Sequence, residues 1–148
     1  MLVPEALSYA TTPEVRDACM CLHVQRAARA VARRFDEALR PASVTNQQFS
    51  LLMALNRPGP AAMRGVATLL AMDRTTLTAN LKPLERRGLV KVAVDPQDRR
   101  GRRLTLTAAG RAALAKALPH WRQAQAATER MITGISPVQM RIELRALS

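Results

Sequence analysis

"DRTTLTANLKPLERRGLVKVAVDPQDRRGRRLTLT" occupies residues 73–107 and decides the fold. Its first half places Leu77, Leu81 and Leu84 at helical spacing, so one face of a helix is apolar. Asp73 is an N-cap residue and Gly88 stands where a helix C-terminus asks for a left-handed backbone. The pattern then changes period. Val90, Val92 and Val94 alternate, and Leu104 and Leu106 do the same after a turn, which describes a two-stranded hairpin. Arg99, Arg100, Arg102 and Arg103 crowd its tip. Like charges there bring a short hairpin no stability. They do suit a partner with strong negative potential, such as a minor groove.

Working outward, "VTNQQFSLLMALNR" reads as a helix with a Thr45–Gln48 capping box and Phe49, Leu52, Met53 and Leu55 on its buried side. Pro58, Gly59 and Pro60 stop it. "AMRGVATLLAM" reads as a short helix before Asp73. Helix, short helix, helix and hairpin together make a winged helix-turn-helix. Upstream, one long helix is expected from Pro13 to Arg40. Downstream, Thr107 caps a long helix that Pro119 should bend, and Ser136–Pro137 opens a last short one. Pro83 should loosen the final turn of the helix it occupies. The expected fold class is mainly α with a small β-hairpin wing.

On the helix from Asp73, the face opposite the leucines carries Thr75, Ala79, Lys82 and Arg86, flanked by Thr76 and Thr78. Hydroxyls and a methyl can read base edges while cations hold phosphates, as a helix entering a major groove requires. Thr75, Thr76 and Thr78 are therefore expected to face bases. Arg74, Lys82 and Arg86 are expected on phosphates, and Arg99, Arg100 or Arg102 in the minor groove. Asp98 should orient a neighbouring guanidinium by a charge-assisted hydrogen bond.

The whole chain fits this reading. Its 148 residues carry a net charge of +12, which favours a polyanionic partner. Between Arg74 and Arg111 stand ten Lys/Arg against three acids. A chain of this length buries roughly two-thirds of its unfolded surface, enough for a real core. No stretch approaches the roughly 20 apolar residues of a membrane span, and "MLVPEALSYATTPEVRDA" lacks the charged and apolar regions of a signal peptide. The expected location is cytoplasmic, with no membrane partner. Four aromatics are too few for RNA binding by base stacking. No Ser/His/Asp set, phosphate loop, paired carboxylates or metal cluster points to an enzyme, a cofactor or a metal. The rival reading is a nonspecific architectural DNA-binding protein, against which the threonine-rich face argues for sequence preference.

The stretch "DRTTLTANLKPLERRGLVKVAVDPQDRRGRRLTLTAAGRAAL" resembles the MarR family of bacterial transcription regulators. The resemblance rests on Gly88-Leu89-Val90 after the reading helix, Asp98 and Arg100 in the wing, and Leu106-Thr107 with Gly110 opening a long helix. Gly65 departs from it, standing where the family often has an acid. The resemblance implies a homodimer, with helical dimerisation regions at 1–40 and 108–148 and a winged DNA-binding lobe at 41–107. It also implies a pseudo-palindromic duplex operator, and repression relieved by a small molecule or an oxidant. By position, His23, Phe49, Met53 and Trp121 would line the effector pocket.

Cys19 and Cys21 are the only cysteines. On one continuous helix they would point about 200° apart and could neither bond to each other nor share a metal. Counting back from Arg29-Ala30, Cys21 resembles the reactive cysteine of the family's organic-hydroperoxide-sensing branch. Gln25 and Phe35 stand where that branch has tyrosines. Arg16 and Arg26 are close enough in sequence to favour a thiolate.

Overall fold

The computed structural model describes residues 7–148. The first six residues, where the expected dimerisation region begins, lie outside the described residues. The chain divides into two compact units, Met1–Arg33 and Arg34–Ser148.

In the first unit the expected single helix is two. Helix α1 covers Thr11–Ala18 and α2 covers Met20–Leu39, running on into the second unit. Cys19 lies between them with an extended backbone, φ −69° and ψ 104°. Its sulfur accepts the N–H of Leu22 at 3.4 Å, the bond an N-cap side chain makes to the third residue of its helix. A thiol is a weak acceptor, which is why no capping signal shows in the sequence. Cys19 is thus outside the helix, and the angular separation expected for the two cysteines does not describe them. Both are free thiols.

The second unit holds the winged motif. Thr45 and Gln48 close their capping box at the start of α3 (Asn46–Ala54). Then follow α4 (Met63–Leu69) and α5 (Arg74–Arg86), capped by Asp73. Helix α5 runs through Pro83 to Arg86, so its last turn is retained. Leu77, Leu81 and Leu84 are all buried, as their spacing predicts. Gly88 takes φ 69° and turns the chain into the wing.

The expected hairpin is present, and a third strand joins it to make a three-stranded sheet. Strand β1 (Ala61–Ala62) pairs with β3 (Arg102–Leu106), which pairs with β2 (Val90–Val94), all antiparallel. Leu104 faces Ala61 on one side and Val92 on the other. Burial fades toward the tip: Val90 is 2% exposed and Val94 54%, so the wing's far end projects beyond the core.

Helix α6 (Ala108–Glu129) starts at Thr107 and continues through Pro119; α7 (Pro137–Ala146) starts at Ser136. The joint between wing and α6 is tight. The Thr107 hydroxyl reaches the carbonyls of Gly88 (2.6 Å) and Leu89 (3.0 Å) and accepts the Gly110 N–H at 3.0 Å. A Cβ on Gly110 would collide with the Leu89 carbonyl oxygen and the Leu106 side chain. The core lies among α3, α5, β3 and the first half of α6, and among the described residues no polar or charged side chain is buried.

Candidate nucleic-acid interface

The face of α5 away from the core presents Arg74, Thr75, Ala79, Lys82 and Arg86 to solvent. Its threonines are not equivalent. Asp73 accepts both the backbone N–H of Thr76 (2.7 Å) and its hydroxyl (2.8 Å). The Thr78 hydroxyl turns back to the Arg74 carbonyl at 2.8 Å. The Thr75 hydroxyl is exposed and makes no hydrogen bond among the described residues. The Thr76 amide, and secondarily its hydroxyl, hold the Asp73 carboxyl below the usual carboxylate range.

Asn80 was not singled out in the sequence. Its amide donates to Gln47 Oε1 and to the Thr76 carbonyl, both at 3.0 Å, tying α5 to the start of α3. Arg87 is anchored too, donating to the Ser43 carbonyl at 2.7 Å. Neither contact has a local signature: the partners are 33 and 44 residues away.

The wing's arginines also divide. Arg103 Nε donates to Asp95 Oδ2 at 2.9 Å. Asp95 is held below the usual range first by the Gln97 N–H and then by the Arg103 charge. Arg102 bends over the turn and donates to the carbonyls of Arg99 (3.2 Å) and Gly101 (3.0 Å). Arg99 and Arg100 are exposed and form no ion pair among the described residues. Asp98 does not orient a guanidinium as expected. Its Oδ1 accepts the backbone N–H of Arg100 at 2.9 Å, since a carboxylate two residues ahead of an amide closes a local turn more readily than it reaches a long side chain. The carboxylate that pairs with a guanidinium is Asp95.

Phe49, Met53 and Trp121 come together. They line a mainly apolar pocket of about 460 Å³ with Ser50, Leu69 and Leu118 among its other walls. The Phe49 and Trp121 rings stack with centroids 5.9 Å apart and planes at 15°. His23 belongs to the other unit, where its Nδ1 lies 2.8 Å from the Cys19 carbonyl. Cys21 is exposed, and its sulfur accepts a hydrogen bond from the Gln25 amide at 3.2 Å. Arg29 in turn donates to Gln25 Oε1 at 3.3 Å. Among the described residues no group of three His, Cys, Asp or Glu is placed to hold a metal, and no helix is long and apolar enough to cross a membrane.

A capped helix on a three-stranded wing, with an open cationic face across both, defines a winged helix-turn-helix protein. A family model described as MarR family matches residues 42–101. The crystal structure of the M. tuberculosis transcriptional regulator MosR in complex with DNA aligns with a TM-score of 0.79 and 40% identity, covering 87% of this chain and 92% of that one. The transcriptional activatory protein BadR of Rhodopseudomonas palustris is 38% identical over 77 residues, half of this chain and 44% of its own length. The HTH-type transcriptional regulator TtmR of Methylorubrum extorquens is 33% identical over 110 residues, 73% of this chain and 56% of its own length. The chain thus spans about half the length of these two curated relatives. It belongs to the MarR family.

Proposed function

We propose that the chain is a sequence-specific, duplex-DNA-binding transcriptional regulator that acts as a homodimer on a pseudo-palindromic operator. One observation carries this reading: the exposed face of α5 lies next to a wing whose Arg99 and Arg100 are unpaired among the described residues. Thr75 is the hydroxyl free for base edges, with Thr76 and Thr78 beside it. Arg74, Lys82 and Arg86 hold phosphates, and Arg99 is the wing residue least engaged elsewhere for a minor groove. Arg102 and Asp98 shape the turn. Similarity to MosR, solved with DNA, supports the partner.

Dimerisation belongs to the terminal regions, 1–40 and 108–148, around the winged lobe at 41–107. In its support, α7 buries none of its residues, and Val138 and Ile142 are 59% and 44% exposed four positions apart. The regulator is a repressor whose release follows occupation of the Phe49–Trp121 pocket or oxidation of Cys21, whose sulfur already receives the Gln25 amide.

The test is fluorescence anisotropy of the reduced protein against the duplex upstream of its own gene, with excess random competitor. Saturable binding that survives competitor is expected. Binding lost entirely to competitor would leave the nonspecific architectural reading. The oxidant arm adds peroxide. Release is expected for the wild type and not for Cys21→Ser, and a serine variant that still leaves DNA removes Cys21 from the switch.

A further inference from the structure

A second cleft, of about 360 Å³, opens where α4, the start of α5 and the wing tip converge. Arg64 from α4, Arg74 from α5 and Arg100 from the wing line it, with Asp98, over apolar surface from Met63, Ala67 and Leu77. All three arginines are exposed, and none forms an ion pair among the described residues. The single carboxylate is partly engaged, accepting the Arg100 backbone N–H. Three arginines from three separate elements therefore line one cleft in which positive charge is in excess. Their mutual repulsion does nothing for the free protein.

The wing tip supplies the second half of the argument. Among the described residues, the hydrogen bonds of positions 95–101 all stay within residues 95–103: Asp95 with Gln97, Gly101 and Arg103, Asp98 with Arg100 and Gly101, and Arg102 with Arg99 and Gly101. No hydrogen bond ties the tip to α4 or α5. An anion in the cleft would do so.

We propose that this cleft seats one backbone phosphate of the bound duplex, and that Arg64, a residue outside both the reading helix and the wing, is one of its three ligands. Guanidinium forks match the oxygens of a phosphate, and a group shared by Arg64, Arg74 and Arg100 joins the wing to α5 only when DNA is present. The wing thereby takes its working angle from the duplex. The inference rests on the DNA-binding reading above.

The experiment uses the full chain and a labelled mixed-sequence duplex of about 30 base pairs, titrated across roughly 50–200 mM salt. For Arg64→Ala, the slope of log K against log salt should become shallower by about 0.9 per protomer, and affinity at about 0.15 M salt should fall roughly fivefold for each protomer's lost contact, which is roughly 25-fold for the homodimer. Arg64→Lys keeps the charge and should keep most of the slope. The ranking of different duplex sequences should not change, because a phosphate carries no sequence information. The unfolding midpoint should stay at the wild-type value, since Arg64 is exposed and unpaired. An Arg64→Ala slope equal to that of a binding wild type overturns the seat and leaves the DNA-binding reading standing. A changed ranking of sequences makes Arg64 a base reader and overturns it as well. A wild type that binds no duplex at all overturns both.

Discussion

The Leu89 carbonyl oxygen occupies the space that a side chain on residue 110 would need. Gly110 stands directly against that carbonyl, and the Thr107 hydroxyl locks the approach by touching Gly88, Leu89 and Gly110 together. A methyl group at 110 could push the Leu106 side chain aside but not the Leu89 carbonyl, because that obstacle is backbone. Gly110→Ala is expected to destabilise the protein by about 2–3 kcal/mol, in the range of overpacked cores and despite alanine's better helix propensity. Urea unfolding measures it. A variant as stable as the wild type would mean that α6 can slide along the wing.

The same joint shows what is legible in a sequence of this kind. Asp73, Thr45, Thr107 and Ser136 act as helix caps because a cap is local chemistry, written within three residues. The burial of Leu77, Leu81 and Leu84 follows from spacing alone. Strand β1 is different: Ala61 and Ala62 have no strand propensity, and only pairing with Leu104 and Arg103 makes them a strand. The break at Cys19 rests on a sulfur taking a role usually held by oxygen. In the candidate interface, composition marks out the threonines and arginines. It does not say that Thr78 is turned onto Arg74, that Asp95 and not Asp98 takes a guanidinium, or that Asn80 reaches Gln47. Those depend on which side chains the fold brings within about 3 Å.

The Asp73 cap makes the stability of α5 depend on pH. Its carboxyl is held below the ordinary range by the Thr76 amide first and the Thr76 hydroxyl second. With the folded value the lower one, the stabilisation is fully present above the unfolded value of about 3.9 and is lost as pH falls through the folded value. Asp73→Asn retains a capping oxygen without the charge. It should be less stable than the wild type at neutral pH, and the gap should close on acidification. Urea midpoints of both proteins at neutral and acid pH give the difference. A gap independent of pH would show that the carboxylate charge does not contribute.

The three threonines of α5 should separate in a base-substitution binding profile. Thr75→Ala removes the one hydroxyl free of internal bonds and should flatten the preference at one operator position by about 1 kcal/mol. Thr78→Ala removes a hydroxyl already turned onto the Arg74 carbonyl and should leave the profile unchanged. Lys82→Ala should weaken all sequences alike and reduce the salt slope. A profile that responds to Thr78 and not to Thr75 would mean that these hydroxyls exchange partners when DNA arrives.

Trp121 is the only tryptophan and sits in the wall of the larger pocket, so its fluorescence reports on that pocket alone. The lining residues include Ser50, Met53, Leu69 and Leu118 and carry no charged side chain. An anionic ligand entering there would lose hydration without gaining a counter-charge, whereas a neutral aromatic would gain apolar contact with the Phe49–Trp121 stack. Nitrobenzene is therefore expected to quench Trp121 saturably, and 4-nitrobenzoate only weakly and without saturation. Met53 is 42% exposed at the rim, and Met53→Arg would place a guanidinium there. That variant should gain saturable quenching by 4-nitrobenzoate. Equal, saturable quenching of the wild type by both compounds would show that a cation reaches the pocket from outside its lining, and would shift the expected effector from a neutral aromatic to an aromatic acid.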